Sequence, residues 1–257
     1  MSFNLSEKVA LVAGGAGYLG TPVVEALAEQ GARVMIADLD LPRAERVAAT
    51  ICRGSKRSAA CQLDGGSESS IREAVQLTVR EFGRLDILVN MTYRSIGKRL
   101  DELTVAEFDE ANHVNLTCAF VFAREAASVM AEGGSIIMFT SMYGQVAPDP
   151  RIYQPPMNPN PIEYGVGKAG VIQMTKYLAV FLAPRGIRVN AIAPGPFPNP
   201  AVQQSDPDFL QRLAGRVPLG RVGKNNEVTG AVVLLAATEG SFITGETINI
   251  NGGWTAW

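Results

Sequence analysis

The chain has a single histidine, His113, and only three cysteines, Cys52, Cys61 and Cys118, none of them in a C-x-x-C pair. A Ser-His-Asp triad would have to use His113, and a histidine-rich metal site is excluded. His113 is therefore read as structural or surface. The cysteine spacing matches neither a zinc site nor a disulfide framework, so the cysteines read as reduced thiols of a cytoplasmic protein. No apolar run reaches the length of a membrane span. The opening "MSFNLSEKVALVAGG" has no basic region leading into a long apolar stretch, so no signal peptide is expected. Basic residues are not in excess: 23 Lys and Arg face 25 Asp and Glu, for a net charge of −2. That balance gives no electrostatic reason to expect nucleic acid or an anionic membrane as a partner. No metal is expected.

What the chain does have is apolar residues, 47% of its 257 positions, enough for a sizeable core. Short apolar runs recur along it: "KVALVA", "ARVMIAD", "SAACQLD", "LDILVN", "SIIMFTS", "IRVNAIAPG" and "ETINING". Segments with helical periodicity lie between them. One of these, "TVAEFDEANHVNLTCAFVFAREAASVMAEGG", reads as one long helix starting near Thr104. Near-continuous apolar strands alternating with helices imply parallel strands buried on both faces. The expected fold is α/β: a Rossmann-type, doubly wound parallel sheet of about seven strands with helices on both faces. No linker or composition shift divides the chain, so residues 1–257 are read as a single domain. Two irregular stretches are expected inside this frame, Pro148 to Pro161 and Pro194 to Pro218, and long loops of this kind are usually functional or mobile.

The first strand runs into "VAGGAGYLGT", where Gly15-x-Gly17-x-x-Gly20 opens a helix and Gly14 adds a further glycine. Glycines let a turn be tight and let backbone approach a pyrophosphate, and the helix N-terminus offers free N–H groups to its charge. Asp38 ends the second strand, where a ribose-binding acid is expected. A carboxylate there accepts hydrogen bonds from ribose hydroxyls and repels a 2′-phosphate. The residues that follow, Leu39, Asp40, Leu41 and Pro42, include no arginine. The cofactor reads as NAD rather than NADP, with Asp40 able to share the role.

Further motifs then fall in order: "HVNLT" with Asn115, "FTSMYG" with Ser141, "EYGVGK" with Tyr164-x-x-x-Lys168, then "RVNAIAPGPF" and a closing "ITGETININGGW". This ordered set resembles the short-chain dehydrogenase/reductase family, in its shorter single-domain branch. The resemblance implies that Asn115, Ser141, Tyr164 and Lys168 form a catalytic tetrad. Tyr164 would act as general acid/base, Ser141 would bind the reacting oxygen, Lys168 would lower the tyrosine pKa, and Asn115 would hold a water. Residues four apart share a helix face, so Tyr164 and Lys168 can enter one pocket. A free tyrosine has a pKa of about 10 and needs a lowering of about three units to work near neutrality. Lys168 and the oxidised nicotinamide are the sources of positive charge considered. The resemblance also implies a cofactor path along Gly14, Gly17, Tyr18, Leu19, Asp38, Leu39, Asp64, Gly65, Asn90, Tyr164, Lys168, Pro194 and Phe197. It implies a homo-oligomer, a tetramer.

The chain departs from the family pattern in places. The spacing Gly14-x-x-Gly17-x-x-Gly20 looks like the longer branch, but the short stretch after Lys168 matches the shorter one. The usual Asn-Asn-Ala-Gly reads Asn90-Met91-Thr92-Tyr93, and Asn199 stands near the place of the usual threonine, so Phe197 backbone or Asn199 would hold the nicotinamide. A Pro/Asn-rich insertion separates Ser141 from Tyr164. It is read as shaping the substrate pocket, with a subunit contact as the alternative. Arg94, Tyr143, Arg151, Tyr153 and Asn158 are the substrate candidates. They suit a small molecule such as a sugar, sugar acid or polyol, with an anionic group as a further option. Two other functions stay open: a nucleotide-sensing protein without turnover, and an epimerase or dehydratase that recycles its NAD.

Overall fold

The computed structural model describes residues 3–51 and 58–257; Cys52 lies outside the described residues. Seven strands, β1 (Val9–Ala13), β2 (Arg33–Asp38), β3 (Ser58–Gln62), β4 (Ile87–Asn90), β5 (Ser135–Phe139), β6 (Arg188–Pro194) and β7 (Thr247–Ile250), form one parallel sheet. Their order is β3-β2-β1-β4-β5-β6-β7. The order reverses between β1 and β4, and the crevice beyond their carboxyl ends is where such sheets bind ligands.

Alternate strand residues feed two cores, as the two-residue period of a strand requires. Val9, Leu11 and Ala13 of β1 face one side, where α3 (Glu68–Phe82), α5 (Cys118–Val129) and α6 (Ile162–Leu182) contribute Ile71, Phe122 and Leu178. Ala10 and Val12 face the other, with Val24 and Leu27 of α1 (Gly20–Glu29), Val47 of α2 (Leu41–Ile51) and Val232 and Leu235 of α9 (Thr229–Ala236). Helix ends follow local chemistry. Ser67 caps α3 by accepting the Ser70 N–H, and Gly83 closes it at φ +82, a left-handed conformation glycine tolerates best.

Two expectations are corrected. The long helix from Thr104 is three pieces: α4 (Val105–Asn112), a π-helical turn His113–Thr117, and α5. Pro194 to Pro218 is not irregular throughout. It holds α7 (Pro200–Ser205) and α8 (Pro207–Arg216), each begun by a capping Asn199 or Asp206 and a proline in its first turn. Cys61 and Cys118 are buried thiols, and burial pushes Cys61 up to about 11. His113 is exposed, with Nε2 3.0 Å from the Gly66 carbonyl oxygen. Among the described residues, no helix is long and apolar enough to cross a membrane.

Candidate active site

The glycine turn sits at the carboxyl end of β1, pinned by Gly14 and Gly15 N–H groups donated to the Ala37 carbonyl at 2.8 and 3.3 Å. Gly14 adopts φ +79, and a Cβ at Gly20 would lie 2.1 Å from the Gly14 carbonyl oxygen. The turn can thus close only with glycine at its far end. Leu19, at the N-cap of α1, supplies no side-chain cap, so that helix start presents backbone N–H groups with no side chain bound to them. Asp38 leans over the turn: its Oδ2 accepts the Ala16 N–H at 3.0 Å and its Oδ1 the Asp40 N–H at 3.2 Å. An uncapped helix start beside a strand-end carboxylate fits a dinucleotide, with phosphate at the former and ribose at the latter. Asp40 Oδ1 accepts the Arg43 N–H at 3.0 Å, at the start of α2. Leu39 and Asp64 are exposed, Tyr18, Leu19 and Gly65 are half-buried, and Asn90 is buried with Oδ1 held by the Thr92 N–H and hydroxyl. At the other end of the crevice Pro194 closes β6, and the Phe197 ring lies where a Gly223 side chain would be. Asn199 Oδ1 accepts the Val202 N–H at the start of α7, so that side chain already has a structural partner.

Ser141 follows β5 in an extended conformation, and its hydroxyl oxygen accepts the Tyr143 N–H at 3.1 Å. Tyr164 lies one turn into α6 with its hydroxyl within hydrogen-bond reach of Ser141. Lys168, one turn further on, is fully enclosed. Its Nζ donates to the Phe139 carbonyl at 2.9 Å and lies 5.6 Å from the centre of the Tyr164 ring. The Thr140 hydroxyl donates to the Lys168 carbonyl at 2.6 Å, fastening α6 to the end of β5. Burial pushes Tyr164 up to about 12, against a lowering contribution from the Ser141 hydrogen bond. Burial likewise brings Lys168 down to about 8. Without the cofactor's charge, loss of water outweighs the Ser141 hydrogen bond and the phenol stays raised.

Asn115 lies in the π-helical turn with its Cβ packed against Gly167 of α6. Its side chain grips the main chain of Arg94: Nδ2 donates to the carbonyl at 2.7 Å, and Oδ1 accepts the N–H at 3.0 Å. The side chain thus clamps the loop after β4. That loop brings Tyr93 edge-on to the Tyr164 ring, with centroids 6.1 Å apart. Tyr93 was missed as a wall of the site, although its replacement of the family's small residue is the signal that could have revealed it.

The Pro/Asn-rich insertion folds back over this region. The Tyr143 and Tyr153 hydroxyls meet at 2.7 Å, and Tyr153 packs on Phe209 of α8 at 5.7 Å between ring centres. Arg212 Nε donates to the Ile152 carbonyl at 2.8 Å, and Asp149 pairs with Arg216 at 3.2 Å. The Arg216 guanidinium lies 5.9 Å from the rings of both Trp254 and Trp257. The insertion, α8 and the chain's last turn are therefore bound into one wall. A cavity of about 740 Å³ opens beside it, bordered by Leu100, Tyr143, Val146, Ile162 and Val166.

The basic substrate candidates each have a carboxylate partner near the surface. Arg94 pairs with Glu110 at 2.5 Å, and Arg151 pairs with Asp149 at 2.7 Å with a largely exposed side chain. Lys98 and Arg99 are engaged likewise by Glu107 and Asp101. Asn158 donates to the Gly97 carbonyl at 3.1 Å, bracing one loop on another. Of the five candidates, Tyr143 and Tyr153 come together beside Ser141 and Tyr164.

Comparison with known proteins agrees with this geometry. A family model described as enoyl-(acyl carrier protein) reductase matches residues 15–255. Trans-4-hydroxycyclohexanecarboxylate dehydrogenase of Sinomonas cyclohexanicum is 35% identical, covering 100% of this chain and 96% of its own. D-threitol dehydrogenase of Mycolicibacterium smegmatis is 33% identical over 98% and 95%. The solved short-chain dehydrogenase/reductase from Serratia marcescens is 32% identical over 98% of this chain and 99% of its own, with a TM-score of 0.89.

Proposed function

Because the chain belongs to the short-chain dehydrogenase/reductase family, whose members bind a nicotinamide cofactor, we propose that it is an NAD-dependent oxidoreductase interconverting a secondary alcohol and a ketone on a sugar or polyol. The observation that carries this reading is the Tyr164 hydroxyl within reach of Ser141, with the Lys168 amine over the same ring. Ser141 already accepts from the Tyr143 N–H, so its own proton is free to be donated to the reacting oxygen. Tyr164 takes the alcohol proton in oxidation and returns it in reduction. Lys168 favours the phenolate and offers N–H donors to the cofactor ribose. When bound, oxidised nicotinamide supplies the hydride acceptor and a second positive charge beside the phenol. Asp38 favours NAD, since a 2′-phosphate would face its carboxylate.

We also propose a homo-oligomer, a tetramer, formed through an exposed apolar stripe. Ile162, Val166, Tyr177, Val180 and Phe181 of α6 and Phe120 and Val129 of α5 all stand in the open, and patches of this kind mark contact sites. We place the protein in the cytoplasm, where buried thiols stay reduced.

The test is a panel of sugars, polyols and simple secondary alcohols with NAD or NADP, following reduced-cofactor absorbance. Steady NADH formation is expected, with little NADPH. No reduced cofactor from any alcohol would overturn the reading, and equal use of NADP would overturn the Asp38 assignment. Tyr164→Phe should bind NAD as the wild type does and lose about a thousandfold or more in kcat.

A further inference from the structure

Tyr143 stands two residues beyond Ser141, fixed to it by the 3.1 Å hydrogen bond from its own N–H. It borders the cavity together with Gly165 and Val166, which follow Tyr164 on α6. Its hydroxyl meets the Tyr153 hydroxyl at 2.7 Å, and Tyr153 also accepts the Asn160 N–H. Burial raises both phenols above their ordinary range, so both are neutral at physiological pH. Two phenols carry two protons, and the bond between them uses one. If Tyr153 donates, Tyr143 keeps a proton to give. If Tyr143 donates, its oxygen keeps lone pairs to receive.

A substrate hydroxyl, which both donates and accepts, suits either order. A carboxylate only accepts, so it is served by one of the two orders alone.

We propose that Tyr143 is a specificity-determining residue that reads a second, uncharged oxygen on the carbon next to the reacting one, so that the preferred substrates are neutral vicinal diols. The inference rests on Ser141 and Tyr164 holding the reacting oxygen. One carbinol is oxidised: its C–H hydrogen leaves as hydride to NAD, its O–H proton goes to Tyr164, and the C–O bond becomes a carbonyl. The neighbouring hydroxyl is unchanged. The products are a hydroxyketone, NADH and a proton.

The experiment compares kcat/KM for cis-1,2-cyclohexanediol, cyclohexanol and cis-2-hydroxycyclohexanecarboxylate with NAD in wild type, Tyr143→Phe and Tyr153→Phe. The wild type should favour the diol over each of the others by about tenfold or more, the worth of one well-made hydrogen bond in a desolvated site. In Tyr143→Phe the diol-to-cyclohexanol ratio should fall by about tenfold, mainly through KM, whereas Tyr153→Phe, which keeps the Tyr143 hydroxyl, should retain most of it. An unchanged ratio in Tyr143→Phe overturns the proposal. So does a wild type that shows no diol preference, or that accepts the carboxylate as well as the diol, which needs no variant to fold. The underlying oxidoreductase reading falls only if the whole alcohol panel yields no reduced cofactor.

Discussion

Lys168 carries its amine where water does not follow, with one carbonyl, that of Phe139, as its hydrogen-bond partner. A charge at about that distance, 5.6 Å from the ring centre, favours a phenolate by about 3 kcal/mol at an effective dielectric of about 20. Burial still leaves the phenol raised to about 12, and the positive charge of oxidised nicotinamide, when bound, would add to the lowering that catalysis needs. The buried amine has its own signature. Between pH 8 and 10.5 the native lysine has shed the proton that the unfolded chain still holds. Unfolding therefore takes up a proton in that window, and stability rises with pH by about 3 kcal/mol relative to a Lys168→Met variant. Urea unfolding of both proteins at several pH values checks the sign; a flat difference would place the amine in contact with water. The Tyr-x-x-x-Lys spacing made this pair legible in the sequence. For Arg94 and Arg151 the sequence displayed a charge without its partner, and Glu110 and Asp149 join them only once the chain is folded.

The strands and most helices were legible because their apolar periods are strong. The π-helical turn was not: it continues the apolar pattern of the helices on either side, and only its hydrogen bonding differs, with the Cys118 N–H donated to the His113 carbonyl. It is the turn that carries Asn115 toward the loop after β4, and such turns often occur at functional sites. The helices α7 and α8 were hidden by their prolines, read as breakers although proline in the first turn is compatible with a helix. The glycine turn is the least tolerant element. A Cβ at Gly20 would meet Gly14 backbone at 2.1 Å, and neither partner can move without opening the start of α1. Gly20→Ala should destabilise the fold by about 3 kcal/mol or more, read as a lowered urea midpoint, and should weaken binding of the nicotinamide cofactor. A variant as stable as the wild type would mean that the turn closes less tightly than described.

At the scale of the molecule, the reversal of strand order between β1 and β4 gathers the glycine turn, Asn90 and the end of β5 at one edge of the sheet. The opposite demand, covering apolar surface, falls on α5 and α6. Tyr177 and Phe181 stack at 6.2 Å in full view of solvent. If that face is the proposed subunit contact, Phe181→Glu should give smaller species than the wild type by light scattering; a mass unchanged from an oligomeric wild type would move the contact elsewhere, and a monomeric wild type would remove it. The two tryptophans of the chain both lie against Arg216, at the joint between the insertion, α8 and the last turn. Tryptophan-selective excitation consequently lights one corner of the protein and nothing else. Emission colour and quenching there become a built-in gauge of whether that joint shifts as ligands arrive, with no label to attach.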